Sequence, residues 1–143
     1  MANKLKKNKA VLINNPEFET GHNKLFLLRV ILHPEFTKVD FGYQAPYYYE
    51  RGGWVRISPE TFIRDRKNDN SYKMTRAEGI CLAPEKFEFK SNQDFLYFSI
   101  FFVPIPNNIS HIDFIEEEPD NGTNFNFYNI VLNNPASRVT ILS

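Results

Sequence analysis

The chain has 143 residues and a mass of 16.8 kDa, which suits one domain and is too short for two of ordinary size. Seventeen basic and seventeen acidic side chains leave no net charge, so the positive surplus that a phosphate backbone demands is missing and nucleic acid is not an expected partner. Fourteen Phe, seven Tyr and one Trp make up 15% of the chain, a composition that favours strands over helices.

The N-terminus, residues 1–9, carries Lys4, Lys6, Lys7 and Lys9 and is expected to be a disordered basic tail. The apolar run behind it, Ala10-Val11-Leu12-Ile13, falls short of the roughly 7–15 residues of a signal-peptide core. No stretch approaches the roughly 18 apolar residues of a membrane span. These readings point to a cytoplasmic chain without membrane insertion, unless a leader has been removed. Cys81 is the single cysteine, so an intrachain disulfide is excluded. Its place between Ile80 and Leu82 reads as a buried, inert thiol.

Strand signals then follow one another. Lys24 to His33 is apolar at both alternating positions and ends at Pro34, as a strand covered on both sides would. Thr37 to Gln44 places Val39, Phe41 and Tyr43 on one face, and the two segments are expected to pair antiparallel. Short strands are expected at Trp54–Ile57, Thr61–Arg64, Ser71–Met74 and Gly79–Leu82, with a polar turn at 65–70. Ser58-Pro59 opens at most a helical turn. Asp94 to Val103 is the strongest segment, with Phe95, Tyr97, Phe101 and Val103 alternating with Leu96, Phe98, Ile100 and Phe102. Such a strand is expected to be central and packed on two sides, or to have its second face covered by another segment. His111–Ile115 and Asn124–Leu132 complete the set.

About eight short strands in one domain over residues 10–135 predict an all-β fold. The architecture expected is a single antiparallel β-sandwich of immunoglobulin-like form. Residues 136–143 are either a C-terminal tail or one more edge strand.

Chemical signatures are sparse. His22, His33 and His111 lack the spacing of a zinc site, and no nucleophile elbow is present. Glu116, Glu118 and Asp120 offer oxygen ligands, but without the alternation of a calcium loop. They are the weak metal candidates, and no cofactor is implied. A hydrolase would need two carboxylates about 5–10 Å apart in a cleft; Asp113, Glu116 and Glu78 are the available groups.

The most informative constellation is aromatic. Tyr43, Tyr47, Tyr48, Tyr49 and Trp54 gather around Pro46 and the Gly52-Gly53 pair. Trp54 and Arg56 share a strand face, where a cation–π contact is feasible. Such rings either close the open end of the sandwich or form a surface for a ligand or partner. An ion pair from Arg56 to Glu78 or Glu116 is a further expectation.

The string Trp54-Val55-Arg56-Ile57-Ser58-Pro59-Glu60-Thr61-Phe62-Ile63-Arg64-Asp65 resembles a motif of an uncharacterised β-domain family of Bacteroidetes bacteria. Asn15-Pro16-Glu17-Phe18, Ala77-Glu78-Gly79-Ile80-Cys81-Leu82, Phe102-Val103-Pro104-Ile105-Pro106 and Ile112-Asp113-Phe114-Ile115-Glu116 are similar in the same order. The resemblance spans about residues 12 to 132. It implies a β-sandwich module, often placed ahead of a thioredoxin-like domain in envelope-associated proteins, and it carries over no catalytic residue. Together these readings predict a non-enzymatic binding or interaction module with a protein or glycan partner. The alternatives are a carbohydrate-binding module using the Tyr47–Trp54 aromatics and a hydrolase using Asp113, Glu116 or Glu78.

Overall fold

The computed structural model describes residues 9–142, and these form eleven strands and no helix. They are β1 (Lys9–Asn14), β2 (Leu25–Leu32), β3 (Thr37–Gln44), β4 (Trp54–Val55), β5 (Phe62–Asp65), β6 (Ser71–Glu78), β7 (Phe87–Glu88), β8 (Phe95–Phe102), β9 (His111–Ile115), β10 (Phe127–Val131) and β11 (Arg138–Leu142). Nine of them form one sheet in the order β10-β9-β5-β6-β8-β3-β2-β1-β11, and β4 and β7 form a two-stranded ribbon. Every pairing between these strands is antiparallel. The fold is therefore all-β and antiparallel, as expected.

The large sheet curls over itself to make the core. Four strand spacings of about 4.8 Å would hold β3 roughly 19 Å from β9 in a flat sheet. Yet the ring of Phe41 on β3 meets Phe114 on β9 at 4.8 Å and Phe127 on β10 at 5.6 Å. Phe102 on β8 joins the same cluster, 5.8 Å from Phe114. The inner faces of the two halves thus pack as the layers of a sandwich do. Phe41, Phe102, Phe114 and Phe127 are fully buried, together with Ile13, Ile63, Ile100, Ile112 and Ile130.

Several element expectations need correction. Eleven strands replace about eight. Gly79–Leu82 is a turn rather than a strand, with Gly79 at φ 82 and only a parallel bridge from Leu82 to Ile57. Phe87–Glu88 pairs with Trp54–Val55, although two residues leave no periodic signal. Lys9, assigned to the basic tail, opens β1; the rest of that tail lies outside the described residues. Of the two readings for residues 136–143, the edge strand is the one formed, as β11 against β1.

The double-sided apolar strands also have a different cause. In β2 the buried residues are Leu25 and Leu27, then Val30 and Leu32, and the register shifts between Leu27 and Arg29. A bulge there moves the inward phase by one residue. One face is buried throughout, not two. Strand β10 repeats the device: Phe127 and Ile130 are both buried, across a shift between them. In β8 the outer face is covered only near its end, where the Arg76 guanidinium sits 3.9 Å from the Phe101 ring centre. Phe95 and Tyr97 stay exposed.

Candidate functional site

A cleft of about 950 Å³ opens where the loop from β3 to β4 faces the acidic segment after β9. One wall is aromatic. Tyr48, Tyr49 and Trp54 line it at 67%, 53% and 46% exposure, which removes them from the core. Tyr48 and Tyr49 touch at 4.6 Å. The loop reverses at Gly52, whose N–H donates to the Tyr49 carbonyl at 3.1 Å. Any Cβ there would meet the Ser91 carbonyl oxygen at 2.7 Å, so the sharp turn needs glycine.

Tyr43 is the exception among the expected aromatics. It is buried, stacked on Phe89 at 5.8 Å and leaning on Phe125 at 5.6 Å, and it forms the cleft's floor. Burial pushes its phenol pKa up. Tyr47 is exposed but lies outside the cleft wall, with the Lys24 ammonium 5.1 Å from its ring centre. Arg56 stands 4.9 Å from the Trp54 ring centre, as strand alternation indicated, and Lys86 stands 5.2 Å from it.

The facing wall is polar. Glu116 accepts the backbone N–H groups of Ser58 and Phe125, each at 2.9 Å. Burial raises its pKa, and those two hydrogen bonds offset part of the rise. His22 packs edge-on against Phe125 at 5.0 Å, and its Nδ1 accepts the Lys24 N–H at 3.3 Å. Burial lowers the His22 pKa, so the ring is neutral at physiological pH. Both features singled out in the sequence, the aromatic loop and the acidic turn, therefore border one cleft.

The acidic wall owes its shape to Asn126, which sequence reasoning missed. Its side-chain oxygen accepts the Glu116 and Glu117 N–H groups at 2.8 and 3.3 Å, and its amide donates to the Glu117 carbonyl at 2.8 Å. Asn126 is 1% exposed. Its only sequence signal is a polar residue between Phe125 and Phe127, which alternation assigns to solvent.

The remaining candidates are dispersed. Arg56 donates to the Pro84 carbonyl at 3.0 Å, and the ion pair expected with Glu78 or Glu116 is not formed; Glu78 pairs with Arg76 instead. Asp113 is held by Arg64 at 2.9 Å, Arg66 at 2.8 Å and the Asn129 N–H at 2.8 Å. Glu118 pairs with Arg64 at 2.7 Å, and Asp120 accepts the Gly122 N–H at 2.8 Å. Glu116 borders the loop cleft, whereas Glu78 borders a separate groove of about 640 Å³ over the outer sheet face beside Asp40 and Ser99. Among the described residues no three His, Cys, Asp or Glu side chains converge as metal ligands.

A scan of protein-family models, a search of curated proteins and a search of solved structures each returned no match to this chain.

Proposed function

We propose that the chain is a non-catalytic binding module that takes its ligand in the loop cleft, and that the ligand is a carbohydrate. One observation carries the reading: three flat rings stand exposed along one wall of a roomy cleft whose other wall offers hydrogen-bonding groups. A pyranose ring has apolar C–H faces and polar edges, and such a site matches both. The rings cost little to order, because each has only two side-chain torsions. A hydrolytic role finds less support, since Glu116 uses both carboxylate oxygens on backbone N–H groups and Asp113 and Glu78 are spent on arginines. The motif likeness to bacterial envelope-associated β-domains is part of the same proposal, and a polysaccharide-facing location would follow from it.

Trp54 is the only tryptophan, so its fluorescence reports on the cleft without labelling. A glycan array followed by titration of the hits should shift or quench Trp54 emission. Trp54→Ala and Tyr49→Ala should each weaken binding about tenfold or more, on the scale of lost aromatic contacts at a binding site. An array without hits, or hits indifferent to both substitutions, would overturn the proposal.

A further inference from the structure

The two edges of the nine-stranded sheet are built differently. At one edge, β10 is interrupted by the bulge between Phe127 and Ile130, and Asn129 takes a φ of 54. Its outer side is also covered. Glu19 and Tyr128 exchange both backbone hydrogen bonds at 2.8 and 2.7 Å, and the Val131 N–H reaches the Glu17 carbonyl at 2.9 Å. At the other edge, β11 pairs with β1 over five residues without a register break. It contains no proline and no lysine, and among the described residues no strand lies on its far side. Bulges, covering segments and edge lysines or prolines are the devices that prevent edge-to-edge pairing. Strand β10 has two of them; β11 has only the charge of Arg138, whose guanidinium is held by the Leu132 and Asn107 carbonyls.

The open strand is firmly docked. Arg138 donates to the Leu132 carbonyl at 2.8 Å and to the Asn107 carbonyl, and the Asn14 N–H donates to the Ser137 carbonyl at 2.9 Å. Counting on from that bond, antiparallel alternation turns the backbone groups of Val139 and Ile141 toward β1 and those of Arg138 and Thr140 outward. The Val139 and Ile141 side chains are 52% and 43% exposed, and Val139 sits opposite Leu12.

We propose that β11 is a self-association edge, at which two copies of this chain pair β11 with β11 antiparallel about a twofold axis at Thr140. The occupant is a second copy because the strand complements itself in that register. Thr140 faces Thr140, Val139 faces Ile141, and no charged residue opposes one of its own sign. Apolar β-branched pairs of this kind stabilise antiparallel neighbours. Because β10 is sealed, the nine-stranded sheet has one open edge among the described residues, and the assembly closes at two instead of growing into a fibre.

Sedimentation velocity on the full chain from about 1 μM to about 1 mM spans the range in which so small an interface would fill. A concentration-dependent dimer is expected, and Val139→Lys with Ile141→Lys should weaken it at least tenfold. Circular dichroism and a thermal melt check that this variant stays folded. In a second arm, Thr140→Cys in a Cys81→Ser background should give an oxidised, disulfide-linked dimer, because opposed Cα atoms about 5.5 Å apart lie within disulfide reach. Tyr97→Cys in the same background should remain monomeric on oxidation. A monomer at every concentration would overturn the proposal. So would a dimer that ignores the two lysines and does not cross-link at residue 140.

Discussion

The ring of Phe95 lies across the backbone of Gly42: a methyl group on Gly42 would come within 2.6 Å of two ring atoms. Phe95 in turn stacks on Phe26 at 6.2 Å and touches Tyr97 at 4.9 Å. The outer face of β2, β3 and β8 therefore carries an aromatic strip that a glycine in the central strand allows to lie flat.

This geometry predicts a change of sign. Gly42→Ala should destabilise the protein by about 1 kcal/mol, because the ring is the far end of a side chain and swings away instead of jamming. In a Phe95→Ala background the same substitution should stabilise by a few tenths of a kcal/mol, as alanine does where a strand glycine has room. Urea denaturation of the four proteins measures both steps. Additive effects would show that the ring does not hold this position in solution.

Asp113 governs the acid side of stability. Burial pushes its carboxyl pKa up, but hydrogen bonds from Arg66, the Asn129 N–H and Arg64 outweigh this and hold it below the usual carboxylate range. A depressed folded pKa means that the unfolded state binds the proton first, so the contribution is complete above about pH 4 and is lost as pH falls through the folded value. Asp113→Asn should cost about 3 kcal/mol at pH 7, at the low end for a buried pair because Arg64 and Arg66 remain partly in water. Its stability should also vary less than that of the wild type below pH of about 4. Equal pH profiles for the two proteins would disprove the assignment.

The same physics explains what could be read from the chain. Val39, Phe41 and Tyr43 alternate without a break, and β3 is buried on the face expected. In β2 and β10 the apolar residues occupy both parities. Alternation alone reads that as two covered faces, whereas a bulge switching the inward phase produces the same string. The aromatic loop and the acidic turn stood out as local runs. Their meeting at one cleft depends on the curl of the sheet, a long-range event with no local signature. Asn126 was hidden for a related reason: a buried amide satisfied by the Glu116 and Glu117 backbone and by the Tyr128 hydroxyl looks, in sequence, like an exposed one.

Glu116 should titrate with the opposite sign to Asp113. Burial raises its pKa above the ordinary carboxylate value, so the folded state holds the proton more tightly than the unfolded chain. Its contribution then falls as pH climbs from about 4.3 through the folded value. Glu116→Gln removes that slope. It also sets an amide N–H₂ against one of the two backbone donors from Ser58 and Phe125, which should cost about 1–3 kcal/mol at neutral pH. Denaturant midpoints from about pH 4 to about pH 7 would show a variant that is less stable but flatter. A variant as steep as the wild type would place the titration elsewhere.

Arg56 offers a sharper test of the cleft, because its two interactions predict separate outcomes. The guanidinium donates to the Pro84 carbonyl at the surface and lies over Trp54, and it pairs with no carboxylate among the described residues. An exposed cation–π contact contributes about 0.5–1 kcal/mol, so Arg56→Ala should lower stability by no more than about 1 kcal/mol. Trp54 should nevertheless change its emission, since the charge beside the indole is gone. Arg56→Lys should restore part of that emission, because an ammonium keeps the charge without the planar stack. A loss above about 2 kcal/mol would instead reveal a buried partner of the kind first expected at Glu78 or Glu116. Unchanged emission would mean that Lys86, 5.2 Å from the same ring centre, dominates the field at Trp54, and Lys86→Ala in the Arg56→Ala background would then carry the shift.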